Sequence, residues 1–206
     1  MKKWLSLTLA IVMAVLLIGC NDEQGDGNGK KELSRGKIEE SVYTNEYLGF
    51  KFTKPESWVY STDEEIAEAV NLSVDLLLGE NFEDTLANNT TVYDMMVIDT
   101  LTRTNINVGY ENLSKSFSSN ITINQYIEAL KSQFANISGM TVTFPDTYET
   151  VKLGDVEFAR IVCTTKIQAT SMKQVYYLHK EGTYMCNVIV TIPSGYTVEQ
   201  IEAMFE

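Results

Sequence analysis

Imidazole is almost missing from this chain. Its 206 residues hold one histidine, His179, so any Ser-His-Asp or Cys-His device must pass through that side chain. Positive charge is scarce as well: 16 Lys and Arg stand against 28 Asp and Glu, a formal charge of −12. With no basic cluster, neither nucleic acid nor anionic lipid head groups are expected as partners. The sequence contains no P-loop, no GxSxG elbow and no HExxH pair, so the common signatures of nucleotide, esterase and zinc-protease chemistry are lacking. Acids are plentiful at Asp63-Glu64-Glu65 and from Glu80 to Asp84, but neither run has the spaced oxygens and glycine of a calcium loop. The first run suits the opening turn of a helix, where negative charge meets the positive end of the dipole. These patterns select no catalytic residue, metal ligand or cofactor.

What is present begins with an export pattern. Lys2 and Lys3 precede an uncharged, mainly apolar stretch from Trp4 to Ile18, shorter than the roughly 20 residues a permanent span requires. Leu17-Ile18-Gly19-Cys20 resembles the bacterial lipobox. That resemblance implies cleavage after Gly19 and a diacylglycerol on the Cys20 thiol, so residues 1–19 read as a lipoprotein signal peptide. Two acyl chains give the stable anchoring that one chain does not. The expected address is therefore the outer face of a bacterial cell membrane, with Cys20 as the lipidation site and the membrane as the first partner. Loss of the two signal-peptide lysines takes the formal charge to −14, which favours solubility and keeps a tethered domain off the lipid surface.

Residues 20–40 read as the lipidated cysteine and a flexible tether. Asp22, Glu23, Gly25, Gly27, Gly29 and Lys30-Lys31 leave almost nothing apolar to bury. Residues 41–206 suit a single domain, with no second linker inside it. Three helices are marked by capping boxes: Ser61 to Glu64 before Ile66, Val70, Val74 and Leu77; Thr122 to Gln125 before Tyr126, Ile127, Leu130 and Phe134; and Thr197 to Gln200 before Ile201 and Phe205. Strand patterns occupy 48–53, 91–98, 105–110 and 140–144. A closing meander follows through turns at Gly154-Asp155 and Glu181-Gly182. Strands and helices do not alternate as βαβ units, which predicts an α+β fold with a mainly antiparallel sheet flanked by helices.

The hairpin register bears on chemistry. A two-residue Glu181-Gly182 turn pairs His179 with Tyr184 and Tyr177 with Cys186, placing His179 and Cys186 diagonally on one sheet face. That face also carries Val188, Val190 and Ile192, as a core face would. The two thiols left after lipidation, Cys163 and Cys186, fall about 9–10 Å apart with one strand between them. A disulfide needs Cα atoms at roughly 4.4–6.8 Å, so the register favours free buried thiols. Tyr110, Tyr148 and Tyr176 are candidates for the edge of a binding groove, with sheet packing as the equal alternative. Asn-x-Ser triplets at Asn71 and Asn112 carry no glycosylation expectation beside a bacterial lipobox.

Tyr47-Leu48-Gly49-Phe50-Lys51-Phe52, then Pro55-Glu56-Ser57-Trp58, resembles the opening of PsbP-like domains, the fold shared with the Ran-binding Mog proteins. Asn105 to Leu113 with the helix after Thr122 resembles that family's middle strand and following helix. The resemblance implies a small hairpin, a buried Trp58 and a binding or assembly module, and it carries no functional residue with it. Three functions follow as expectations: a non-catalytic surface module whose partner is an envelope protein or small ligand, an envelope hydrolase, or the solute-capture lipoprotein of a transporter.

Overall fold

The computed structural model describes residues 33–69 and 82–206. The expected signal peptide, Cys20, Asn71, Glu80, and Val70, Val74 and Leu77 of the first helix's expected stripe lie outside the described residues. Three short strands, β1 (Lys37–Glu39), β2 (Val42–Asn45) and β3 (Phe50–Thr53), form a small antiparallel sheet. The main sheet is built from β4 (Trp58–Tyr60), β5 (Thr91–Asp99), β6 (Asn105–Asn112), β7 (Met140–Thr143), β8 (Glu149–Leu153), β9 (Val156–Ile167), β10 (Thr170–Glu181) and β11 (Tyr184–Ile192). Its order is β4-β5-β6-β11-β10-β9-β7, with β8 also beside β9, and all its pairings are antiparallel. The helices are α1 (Asp63–Ala69), α2 (Phe82–Asn88), α3 (Leu113–Ser116), α4 (Ile123–Ala135) and α5 (Val198–Glu202). The α+β class and mainly antiparallel sheet are those expected.

Burial of both sheet faces explains why β10 and β11 read as nearly continuous apolar runs. Val175, Tyr177, Val188 and Val190 face the small sheet, α1, α2 and α5, where Phe50, Phe52, Trp58, Ile66 and Leu86 complete one core. Tyr176, Leu178, Met185 and Ile189 face Tyr126, Ile127, Leu130 and Phe134 of α4 in the other. Trp58 is 1% exposed, packs against Phe52 and Tyr196, and donates its indole N–H to the Tyr196 hydroxyl at 3.0 Å. The C-terminus extends the small sheet: Lys51 and Glu206 exchange both backbone bonds at 2.8 Å. Phe205 stacks at 5.3 and 5.1 Å from Phe50 and Phe52.

The boxes at Thr122 and Thr197 cap α4 and α5 as expected. At α1 the box is Thr62 with Glu65, one residue beyond Ser61–Glu64. Ser61 still belongs to the sheet, because its N–H bonds the Met96 carbonyl at 2.9 Å. The second acidic run places Glu83 and Asp84 in the first turn of α2, a favourable charge for a helix start. Asn112 is buried and caps α3 by accepting from the Ser114 N–H.

The folded chain begins before residue 41, which corrects the tether boundary. Leu33 is buried and β1 pairs with β2. Between them Arg35 and Gly36 are held by Asp94, whose side chain is 0% exposed. Asp94 stands at a bulge where the β5–β6 register shifts between Tyr93 and Met95. One extra residue there turns a carboxylate inward. It accepts from the Tyr43 hydroxyl at 2.5 Å, Gly36 N–H at 2.8 Å, Asn45 Nδ2 at 3.0 Å and Arg35 Nε at 3.3 Å. Arg35 also bridges to Asp63 at 2.8 Å. Burial pushes the Asp94 carboxyl up, opposed by these donors. At Gly36 a β-carbon would stand 2.2 Å from the Tyr43 ring, so only glycine fits where the chain crosses that tyrosine.

Candidate functional site

The histidine–cysteine pair is closer in register than expected, and it is occupied. The ladder runs to Glu181↔Tyr184, so the turn is Gly182–Thr183 and His179 lies directly opposite Cys186. The physical reason is Gly182, at φ +56° in the first loop position. A Glu181-Gly182 turn of the mirror-image type would force Glu181 into that region too. His179 Nδ1 bonds the Glu157 carbonyl at 2.9 Å, Nε2 faces Glu181 at 3.5 Å, and the ring packs on Phe158 at 5.5 Å. Neither nitrogen bonds the Cys186 thiol. Cys186 is fully buried and burial pushes its thiol well up, away from the thiolate a nucleophile needs. Cys163 sits opposite Gln174, in the other core, its thiol pushed up to about 12 by burial. Both thiols are free.

A second buried acid sits beneath α4. Glu111 is 0% exposed and one carboxylate oxygen accepts from the Tyr126 hydroxyl. Its other oxygen, the Asn187 side-chain oxygen and the Thr91 hydroxyl have no partner among the described residues. The register places Thr91 directly across from Glu111, with Asn187 one diagonal step away. Burial pushes the Glu111 carboxyl up, opposed by the nearby Ser116 and Tyr126 hydroxyls.

The three tyrosines separate cleanly. Tyr110 and Tyr176 are 0% and 1% exposed and belong to the cores, whereas Tyr148 is 37% exposed. Tyr148 lines a groove of about 250 Å³ between α4 and the outer edge of the sheet. One wall is a single face of α4, where Asn124, Ile127, Glu128 and Lys131 fall at helical spacing. The other is the chain from Pro145 to Tyr148, and Ile161 forms the floor.

The groove exists because the outer strand is interrupted. β7 pairs with Thr164–Ile167 of β9 and β8 with Val156–Arg160. Between them five residues, 144–148, stand against three, 161–163. The surplus bows outward as an enlarged bulge, the kind of irregularity that re-aims side chains at sheet edges. Pro145 lies in it and has no N–H to give the ladder. Lys131 is held at the lip by Glu128 at 2.7 Å and lies 5.9 Å over the Phe144 ring. Asn124, Asp146, Thr147 and Tyr148 make no side-chain hydrogen bond among the described residues, so their polar atoms are free for a ligand.

No protein-family model matches the chain, and no curated protein matches it. Among solved structures it is similar to a 1.50 Å crystal structure from Bacteroides thetaiotaomicron VPI-5482, at 15% identity and a TM-score of 0.41. The match covers 77% of this chain and 44% of that one, so the chain spans less than half the length of that protein.

Proposed function

We propose that this protein is a lipid-anchored, non-catalytic binding module of the outer membrane face, and that its binding site is the groove between α4 and residues 145–148. The observation that carries the reading is that groove, where free polar side chains and one exposed tyrosine converge on an interruption in the sheet edge. The lipobox ending at Cys20 and the excess of acid support the address. Support for the absence of catalysis comes from the sole histidine, whose ring nitrogens are engaged by Glu157 and Glu181 while the facing thiol is sealed in the core. A PsbP-like fold is part of the proposal. The small N-terminal sheet, Pro55 leading to a buried Trp58, and the closing meander with its terminal helix all favour it.

The test has two arms in the producing cell. Cys20→Ala is expected to lose lipid labelling and membrane retention together; unchanged labelling would remove the anchor from the proposal. In a deletion strain, complementation with Tyr148→Ala is expected to fail and with His179→Gln to succeed, both at normal abundance. The opposite pattern would move the functional site to the His179–Cys186 face.

A further inference from the structure

We propose that the groove holds one pyranose ring of a neutral saccharide, an inference that rests on the groove being the binding site. Size sets the first bound. About 250 Å³ is below the roughly 300–1,000 Å³ of sites that enclose drug-sized ligands, so the groove takes one ring. Its shape sets the second. The walls are a helix face and an outward bulge, so the groove stays open along its length and cannot fully desolvate a hydrophobe. A ligand that keeps part of its hydration while offering both an apolar face and hydrogen-bonding groups meets both bounds.

Charge narrows the class. Glu128 and Asp146 against Lys131 leave one net negative charge in the walls, and the ammonium is already held by Glu128 at 2.7 Å. Phosphate and carboxylate ligands are therefore repelled, with no free cation to receive them. Asn124, Asp146 and Thr147 offer an amide, a carboxylate and a hydroxyl with no bonds to surrender. A planar amide and carboxylate beside a hydroxyl suit the vicinal hydroxyls of a sugar, which donate and accept on adjacent carbons. Tyr148 supplies an amphipathic ring whose face accepts the C–H side of a pyranose while its hydroxyl stays wet. Ile127 and Ile161, both buried, give the base an apolar surface that a small polyol without a ring face would not cover.

The experiment is an amide NMR titration of the purified protein with glucose, N-acetylglucosamine and glucuronate. Glucose or N-acetylglucosamine is expected to shift Asn124, Thr147 and Tyr148 saturably, with a dissociation constant of roughly 1 mM for so small a ligand. Glucuronate is expected to bind at least about tenfold more weakly, and Tyr148→Ala to lose about tenfold. Deleting Asp146 and Thr147, which removes the surplus of the bulge, is expected to abolish the shifts. The inference is overturned if neither neutral sugar perturbs these residues, if the shifts fall elsewhere, or if glucuronate binds as well as glucose. Should Tyr148→Ala fail to complement the deletion strain while no sugar shifts the groove, the saccharide is wrong and the binding module stands.

Discussion

At Glu111 a carboxyl group with no exposed surface has one oxygen bonded to Tyr126, while the other, like the Thr91 hydroxyl and Asn187 oxygen on the flanking strands, has no partner among the described residues. An ionised carboxylate there has no proton to give the Asn187 oxygen, although the Thr91 hydroxyl can donate to it. A protonated one supplies the missing donor, which is why burial raising its pKa and the geometry agree. The sign of the linkage follows. An acid whose folded pKa lies above the unfolded value, roughly 4.3, contributes stability that is complete below that pH and is lost as pH climbs through the folded value. Asp94 is shifted in the same direction by the same cause. Thermal unfolding from pH 4 to 8 should therefore show a falling melting temperature in the wild type. Glu111→Gln should flatten part of that slope and match or exceed wild-type stability at pH 7. Its amide keeps an oxygen for Tyr126 and brings N–H donors to the side of the Asn187 oxygen. A variant that melts lower than wild type throughout would mean that the ionised acid is what the fold uses.

The element that decides the candidate site is the interrupted outer strand. β7 and β8 differ in register by two along β9, so removing Asp146 and Thr147 should fuse them into one continuous edge strand. Stability is expected to change by no more than about 1 kcal/mol, because the deleted residues are exposed and the new ladder positions add bonds. Denaturant titration checks the first statement, and amide exchange at residues 161–163, expected to slow, checks the second. Little of this element was legible in the sequence. Strand pattern marked 140–144 and the stretch after 150, but the groove arises from a mismatch in count between strands far apart in the chain. A helix face, a loop and a floor residue meet there only after folding. The long strands and two capped helices were legible because each carries its period and its cap locally. The short strands β1, β2 and β4 carry three or four residues each, too few for a pattern. The Gly182 turn shows the finer limit: glycine marked the turn, while its place within the loop set a register two residues away from the expected one.

For the whole molecule, the folded segment before residue 41 has an energetic consequence. A chain starting at Ser41 lacks Arg35, the Gly36 N–H and β1, and leaves the Asp94 carboxylate buried with fewer donors. Removing one partner of a buried pair typically costs about 3–5 kcal/mol. Because Arg35 keeps some exposure, the 41–206 form is expected to be about 3 kcal/mol less stable than the 33–206 form. Both are expected to unfold in one transition under urea, since each core shares the same central sheet. Equal midpoints would show that the clamp is incidental.

The same clamp decides where a pull would be felt. Tension arriving from the N-terminal side meets Arg35 and Gly36, both fastened to a residue of the long strand β5. Without that fastening, the first structure under strain would be β1, a three-residue edge strand whose bonds to β2 open one after another like a zipper. With it, a tug from the N-terminal side is handed to the eight-stranded sheet before the weak edge is loaded. Under the lipid anchoring proposed above, a pull through the N-terminal segment is expected to leave the domain itself closed.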